Sequence, residues 1–365
     1  MDFDWSPAQQ ALHARMRALG AEVAALPEEA RLDRLAAEGV LGLCIDRAWG
    51  GGGASFLDAV HAYEGLGHAL PDGGLLLAAG AHLFGVAATV MKVGSEAQRA
   101  HLLPTLAGGE VLATIAATEA EAGSDVGAVA TTVTPAGEGY RVRGEKAWVT
   151  MADRAGCFLV VGRRPGDRGL TVALLPRSPA VLVGAPIDTL GLRGARLAPV
   201  RFEDAEGQEL LGKPGAGMAV FQRAMVHERA LVLAFRLGAL ERLLDETVTF
   251  CRQRRVGGTP IARQASVAQR VAQMKLGLET ARLLVYRAAW RLDRDERGGL
   301  DAALAKWHLA QVAVDNSLAA LGLRGGAGYR AEAGFGALLD DALGGTIHSG
   351  TPEILSGIVA RLTGL

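Results

Sequence analysis

The amino-acid sequence predicts a mainly α-helical protein with a β-domain in the middle of the chain. Up to about residue 110, apolar residues recur every three or four positions, as expected for packed helices. Short β-rich segments occupy about residues 111–211, and long helical patterns return after Pro214. We therefore expect an N-terminal helical domain at 1–111, a middle β-domain at 112–211 and a C-terminal helical bundle at 212–365.

The N-terminal pattern is clearest at Leu12, Met16 and Leu19, which share one helical face. Glycine-rich breaks at 50–53 and 73–74 indicate loops between helices. This part of the chain is therefore predicted to be a set of short helices that pack on one another.

The middle and C-terminal patterns differ in period. Strands are predicted at 131–133, 140–142, 158–161, 170–175 and 200–202, where β-branched and aromatic residues are separated by Gly, Pro and Asp. Helices are predicted up to Arg255, from about 263 to 294 and from about 300 to 321.

Composition limits the classes of function. The formal net charge of −1 gives no electrostatic reason to expect nucleic acid or an anionic membrane as a partner. Cys44, Cys157 and Cys251 lie far apart, without metal-ligand spacing or the even number of a disulfide framework. The acidic start does not resemble a signal peptide, and no uninterrupted apolar stretch is judged long enough to span a bilayer. We expect a soluble, cytoplasmic protein without a metal site.

Two short runs carry the strongest functional signal. Residues 118–125 read Thr-Glu-Ala-Glu-Ala-Gly-Ser-Asp, and residues 144–150 read Gly-Glu-Lys-Ala-Trp-Val-Thr. They resemble the flavin-cradling signatures of the acyl-CoA dehydrogenase family. Further similar runs occur at 94–99, 190–194, 211–218, 325–329 and 350–354. The resemblance covers the whole chain and implies an N-terminal helical domain, a central β-barrel or sandwich and a C-terminal four-helix bundle.

The cofactor that the resemblance implies is FAD, with contacts from Thr118, Gly123, Ser124, Trp148 and Thr150. Two-residue spacing on one strand would put Trp148 and Thr150 on one face, where they supply an apolar neighbour and a donor to an isoalloxazine ring. The turn at Gly123 and Ser124 offers backbone N–H groups to a pyrophosphate, and Ser124 is also a candidate substrate contact. The alternative is an ordinary core aromatic and an ordinary turn.

The reaction that the resemblance implies is α,β-dehydrogenation of an acyl thioester, for which the protein must supply a base. The best-known members place a glutamate where this chain has Ser349, and a serine hydroxyl stays protonated near neutral pH without an activating partner. His348 titrates in a suitable range but lies one position away. A minority of the family carries its base immediately before an arginine of the C-terminal domain. In this chain those residues are Glu228, the candidate base, and Arg229, a candidate substrate contact.

The helical neighbours of Glu228 support this assignment. The residues three and four positions away are apolar, so Glu228 has no partner within its own helix; they are Ala224, Met225, Leu231 and Val232. Burial on such a face raises the pKa of a carboxyl group toward the working pH of a base. The alternative is that Glu228 pairs with an arginine elsewhere in the bundle and is structural.

The remaining cofactor contacts implied by the resemblance are Arg254, Gly325, Gly326 and Thr351. Arg254 corresponds to an arginine that reaches the FAD of a neighbouring subunit, although it also fits a solvated basic run. Gly322 replaces an expected glutamine, and Gly257-Gly258 and Gln264-Ala265 replace further expected pairs. These differences affect mainly the half of the FAD site that a second subunit completes.

Three functions remain compatible with the sequence. The first is a homo-oligomeric FAD-dependent acyl-CoA dehydrogenase, a homodimer or homotetramer, that is reoxidised by an electron-transfer flavoprotein. The second keeps the fold but acts on an acyl-carrier-protein thioester in biosynthesis, or is a flavin oxygenase. The third is a catalytically degenerate subunit of a heteromer with a related, active chain, an alternative that Ser349 and Gly322 keep open.

Overall fold

Helices form the first part of the chain, and serine residues cap three of them, two through capping boxes. The computed structural model describes residues 4–296 and 298–365, so the first three residues of the expected N-terminal domain and residue 297 lie outside it. Ser6 and Ser95 each cap a helix through a capping box with Gln9 and Gln98. The helices are α1 (Pro7–Ala24), α2 (Glu28–Ala37), α3 (Phe56–Ala69), α4 (Gly73–Gly80), α5 (Ala88–Val93) and α6 (Glu96–Gly108).

Helices α4 and α5 are joined by a π-helical segment, Ala81–Ala87, into one apolar helical run. This run, Gly73–Val93, has a mean hydropathy of 1.8 and is long and apolar enough to cross a membrane. The expectation that the chain holds no such stretch is therefore wrong by length and composition. In the fold, 89% of the run's most apolar window is buried, as in the core helix of a soluble protein.

The middle of the chain forms one eight-stranded sheet within the described residues. Its strands are β1 (Ala113–Ala116), β2 (Thr132–Ala136), β3 (Gly139–Val149), β4 (Cys157–Arg163), β5 (Leu170–Pro176), β6 (Val181–Val183), β7 (Ala198–Gly207) and β8 (Glu209–Leu210). The order is β6-β7-β3-β2-β4-β5-β8, and β1 pairs in parallel with β4. The sheet has a buried core of its own that includes Val142, Phe158 and Phe202.

Long helices return after the sheet. They are α7 (Gly217–Leu231), α8 (Phe235–Gln253), α9 (Ala265–Leu292), α10 (Gly299–Arg324), α11 (Phe335–Ile347) and α12 (Pro352–Leu362), with a hairpin of β9 (Arg255–Val256) and β10 (Thr259–Pro260) after α8. The predicted order of helices, sheet and helical bundle is confirmed.

Helix α7 connects the three parts of the fold. It packs against α10 in the C-terminal bundle, against the π-helical segment and α5 in the N-terminal part, and against β5 of the sheet. Strand β1 also contacts the π-helical segment. Side chains on α7 therefore lie where the three domains meet.

Candidate active site

The two sequence motifs are joined by a buried salt bridge. Lys146 Nζ on β3 donates to Glu119 Oε1 at 2.7 Å and to the Ala117 carbonyl at 2.8 Å. Glu119 also accepts hydrogen bonds from the Ala130 N–H and from the N–H and hydroxyl of Thr131. Burial opposes ionisation of Glu119, but these donors together lower its pKa to about 2. The pair holds the 118–131 segment against β3.

The turn that follows Thr118 is open to solvent. Thr118 accepts a hydrogen bond from the Ala147 N–H at 2.8 Å, and Glu119 pairs with Ala122 across the turn. Gly123 and Ser124 are exposed. The nearest atom to a Cβ at Gly123 would be Thr118 Cγ2 at 3.8 Å, so a ligand can approach the backbone there.

Trp148 and Thr150 do not lie on one face of a regular strand, which corrects the expectation from two-residue spacing. The pairing of β3 with β7 shifts between Lys146 and Val149, and Trp148 within this bulge has φ 58°. The strand ends at Val149, so Thr150 belongs to the next turn. The bulge leaves the Trp148 side chain 54% exposed beside the open turn. Such a backbone is costly for a tryptophan and is typical of functional sites.

Glu228 lies on α7 at the junction of the three domains. Ser349 Oγ donates a hydrogen bond to its Oε1. A Cβ at Gly85 would lie 2.9 Å from Glu228 Oε2 and 3.3 Å from Ile115 Cδ1, so the absence of a side chain at position 85 leaves room for the carboxylate. Glu228 is neither fully buried nor fully exposed. In the described part of the chain, Glu228 Oε2 accepts no hydrogen bond and is available to a ligand.

Burial and three nearby groups act in opposite directions on the pKa of Glu228. Desolvation raises the pKa of its carboxyl group above the ordinary value, while the Ser349 hydrogen bond and the charges of Arg229 and Lys306 lower it. The net direction is upward, as a general base near neutral pH requires. No arginine elsewhere in the described part of the bundle forms a hydrogen bond with the Glu228 carboxylate, and the Nε of the neighbouring Arg229 donates to the Ser349 carbonyl at 2.7 Å.

His348 is not suited to act as the base. Desolvation, followed by the charges of Lys306 and Arg236, lowers its pKa to about 3. Its Nδ1 lies 3.1 Å from Ser349 Oγ, and its Nε2 is buried without a partner in the described residues. The imidazole therefore stays neutral near pH 7.

The other predicted cofactor residues lie at the ends of C-terminal helices. Arg254 follows α8 and is exposed, and Gly325 and Gly326 follow α10 on an open surface with no atom within 4 Å of a Cβ. Thr351 immediately precedes α12. In the described residues no hydrogen bond joins these four to Glu228.

Sequence reasoning missed several residues around the carboxylate. Lys306 is 1% exposed and donates to the Gly350 carbonyl at 2.6 Å, and Gly85 leaves room for Glu228. A lysine on the apolar face of a helical pattern was the available signal for Lys306. Glu119 and Lys146 were present in the two motifs, but their pairing needs the third dimension. No group of three or more His, Cys, Asp or Glu side chains in the described residues is arranged to hold a metal ion.

Comparison with known domains identifies three consecutive matches. Residues 8–110 match the N-terminal domain of acyl-CoA dehydrogenase, residues 114–205 the middle domain and residues 215–363 the C-terminal domain. Together they account for most of the chain.

Individual relatives have related names. An L-prolyl-[peptidyl-carrier protein] dehydrogenase from Pseudomonas fluorescens is 38% identical, over 88% of this chain and 87% of the relative. The crystal structure of the prolyl acyl carrier protein oxidase AnaB has a TM-score of 0.94 and 29% identity, covering 99% of this chain and 100% of the other. Butyryl-CoA dehydrogenase from Megasphaera elsdenii has a TM-score of 0.94 and 26% identity, with all of both chains covered. This chain belongs to the acyl-CoA dehydrogenase family.

Proposed function

We propose that this protein is an FAD-dependent dehydrogenase of a carrier-protein-bound prolyl thioester, with Glu228 as the base that removes the α-proton. The observation that carries the proposal is the Glu228 carboxylate, which has a raised pKa and one free oxygen where the three domains meet. The substrate class is supported by the 38% identity of this chain to an L-prolyl-[peptidyl-carrier protein] dehydrogenase.

The residues on β3 and the preceding turn fit an FAD cofactor. Trp148 presents an exposed indole from a strained backbone, and Gly123 and Ser124 present an open turn. The Lys146–Glu119 salt bridge holds both parts together. A solved structure of the relative PigA, 30% identical with a TM-score of 0.94, is an FAD complex. When bound, FAD supplies the acceptor for the β-hydride.

The chain's own task is proton removal and positioning. Glu228 Oε2 accepts the proton from the α-carbon as the β-hydrogen departs with its electron pair, so the thioester loses two hydrogens and gains a carbon–carbon double bond. The partial burial of Glu228 makes its carboxylate more basic than one in water. Burial of the carboxylate between Gly85, Ile115 and Ser349 also limits the access of water to the departing proton.

The second candidate function is dehydrogenation of an acyl-CoA. Its support is the fold shared with butyryl-CoA dehydrogenase and 28% identity, over 91% of this chain, to the human short-chain specific acyl-CoA dehydrogenase. Identity to carrier-protein enzymes is higher, at 38% and 32% for the two named L-prolyl-[peptidyl-carrier protein] dehydrogenases. We therefore rank the carrier-protein thioester first.

Assembly, electron acceptor and location also belong to this proposal. Exposed apolar side chains on α9 and α10, Leu276, Leu283 and Leu318, support an interface with a second copy of the chain, as a homodimer or homotetramer. A related structure named electron transferring flavoprotein, 26% identical, supports electron-transfer flavoprotein as the acceptor. A cytoplasmic location and the heteromeric alternative remain predictions.

One experiment tests the substrate. The purified, FAD-loaded protein is mixed anaerobically with L-prolyl-loaded carrier protein, with free L-proline or with butyryl-CoA, and flavin absorbance is followed. We expect bleaching by the prolyl thioester and loss of two hydrogens from the prolyl group by mass spectrometry. Bleaching by butyryl-CoA alone would replace the first candidate with the second.

The base is tested by Glu228→Gln, with Glu246→Gln on the exposed side of α8 as the matched control. We expect Glu228→Gln to keep its FAD but to reduce it roughly 10²–10⁴-fold more slowly, because the amide keeps the shape and loses the basicity. The control should reduce its flavin at the wild-type rate. A wild-type rate for Glu228→Gln would refute the base assignment.

A further inference from the structure

The loop between α11 and α12 holds an unfavourable backbone next to Glu228. Ser349 has φ 57° and Gly350 has φ 114°, both in the region that favours glycine. A serine there costs about 1 kcal/mol or more, and such a conformation persists only when its surroundings enforce it. Contacts with the surrounding residues must therefore stabilise Ser349 in this conformation.

Two basic side chains from different helices hold this loop. Arg229 Nε of α7 donates to the Ser349 carbonyl at 2.7 Å, and Lys306 Nζ of α10 donates to the Gly350 carbonyl at 2.6 Å. Lys306 is almost completely buried, and this desolvation, followed by the charge of Arg229, lowers its pKa to about 7. Burying a lysine that binds a single carbonyl costs free energy. The fold therefore stabilises this loop position at the expense of overall stability.

The held loop directs a chain of hydrogen bonds at one oxygen of Glu228. Because the neutral His348 has Nδ1 3.1 Å from Ser349 Oγ, and Ser349 Oγ donates to Glu228 Oε1, His348 Nδ1 must carry its proton and donate to the serine. Oε1 is thereby occupied, and Oε2 remains beside the space at Gly85. The two oxygens of Glu228 are no longer equivalent.

We propose that Ser349 is a positioning residue that fixes the Glu228 carboxylate, so that Oε2 alone is presented to the substrate's α-carbon, and that His348 sets the direction of the serine hydroxyl. This inference rests on the proposed role of Glu228 as the base. Ser349 therefore contributes a hydrogen bond from the position at which the best-known relatives carry the base itself.

The charged and titratable groups that face the carboxylate are few. They are Arg229 on α7, Lys306 on α10 and His348 on the loop, while the π-helical segment and β1 present Gly85 and Ile115. As the pH falls below 7, Lys306, whose pKa burial lowers to about 7, gains a proton, and so does Glu228, whose pKa burial raises. Of the two, only Glu228 accepts the Ser349 hydrogen bond. Protonation of Glu228 therefore contributes to the acid limb of kcat/KM, and removing the Ser349 donor should move that contribution to higher pH.

The test uses the FAD-loaded Ser349→Ala protein and prolyl-loaded carrier protein. We expect kcat to fall roughly 10–100-fold, because a hydrogen bond to a charged group is lost. We also expect the acid limb of kcat/KM to shift upward, with little change in KM or FAD content. Ser356→Ala on the exposed face of α12, whose hydroxyl donates to the Glu353 carbonyl, is the matched control and should match the wild type.

A second variant keeps the inference testable if Ser349→Ala misfolds. Ser349→Cys keeps a side chain of similar size with a weaker donor, and we expect the same upward shift of the acid limb with a smaller loss of rate. His348→Asn retains a donor near the Nδ1 position and should stay closer to the wild type than His348→Leu.

The outcomes separate this inference from the proposed function. If Glu228→Gln abolishes flavin reduction while folded Ser349→Ala or Ser349→Cys keeps the wild-type rate and pH profile, Glu228 remains the base and the positioning role is overturned. If Glu228→Gln reduces flavin normally, the base assignment of the proposed function fails, and the positioning role fails with it. A loss of rate in the Ser349 variants without an upward shift of the acid limb would also reject the inference, since looser packing admits water and lowers the pKa of Glu228.

Discussion

Lys146 Nζ and Glu119 Oε1 lie 2.7 Å apart, so that one salt bridge ties the strand carrying Trp148 to the turn carrying Ser124. The Lys146 side chain is fully buried and that of Glu119 is 11% exposed. Desolvation lowers the pKa of Lys146 to about 8, although its partner acts in the opposite direction. The two halves of the expected cofactor site are thus held by one buried ion pair.

We expect Glu119→Gln to destabilise the protein by about 3–5 kcal/mol, because it leaves Lys146 buried without a counter-charge. FAD retention should fall with it. Urea denaturation and the flavin content after dialysis measure the two effects. The double variant Glu119→Gln with Lys146→Met should recover part of the stability. If its loss of stability equals the summed losses of the single variants Glu119→Gln and Lys146→Met, the pair is not coupled.

Trp148→Gly separates backbone strain from cofactor binding. Glycine adopts a positive φ without a steric cost, and the exposed indole contributes little burial, so the apoprotein should be at least as stable as the wild type. FAD binding should weaken, because the ring loses its aromatic neighbour. Thermal denaturation of the apoprotein and FAD titration check this, and unchanged FAD affinity would assign Trp148 another role.

Gly85→Ala tests the space beside Glu228. The added methyl group would lie 2.9 Å from Oε2, so the carboxylate must move, and we expect flavin reduction to slow by about 10-fold or more with FAD retained. Gly80→Ala in the same helical run meets its nearest atom, Val232 Cγ2, at 3.4 Å and serves as the control. Equal rates for both variants and the wild type would contradict the prediction.

Moving the carboxylate to position 349 should restore activity. In the double variant Glu228→Gln with Ser349→Glu, the new amide donates to the new carboxylate, which lies where common relatives carry the base. We expect flavin reduction faster than in Glu228→Gln alone. Ser349→Glu alone puts two carboxyl groups together, so one pKa should rise strongly and the activity should require a higher pH. Stopped-flow pH profiles distinguish these cases.

Four histidines make the fold sensitive to acid. Burial lowers the pKa values of His61, His82 and His227 to about 4 and that of His348 to about 3. Below about pH 6.5 the unfolded chain binds protons that the folded protein does not, so the free energy of unfolding falls with pH down to the folded-state pKa values. Each histidine contributes a slope of up to about 1.4 kcal/mol per pH unit.

The matching experiment compares urea denaturation at pH 7 and pH 5. His61 packs between Trp5 and Tyr286, so His61→Phe keeps the ring contacts and removes one titrating group. Its loss of stability between the two pH values should be smaller than that of the wild type. The exposed His101→Gln should behave like the wild type, and identical pH dependence in all three proteins would disprove the mechanism.

The sequence by itself determined the order of helices, sheet and bundle, because the change of apolar period from about 3.6 to 2 and back is a local property of the chain. It also identified Glu228 as a carboxylate on an apolar helical face. Only the expectation that no stretch is long and apolar enough to span a bilayer failed, at Gly73–Val93, since a buried core helix and a membrane helix satisfy the same test of length and composition.

Only the tertiary structure decided what surrounds Glu228. Ser349 is 121 residues away along the chain, and a contact of that separation follows from packing that periodicity does not report. The bulge at Trp148 is likewise a product of how β3 pairs with β7, which overrides the two-residue alternation of a regular strand. Local patterns set which face of each element is apolar, whereas the donor that reaches each oxygen depends on how the elements are assembled.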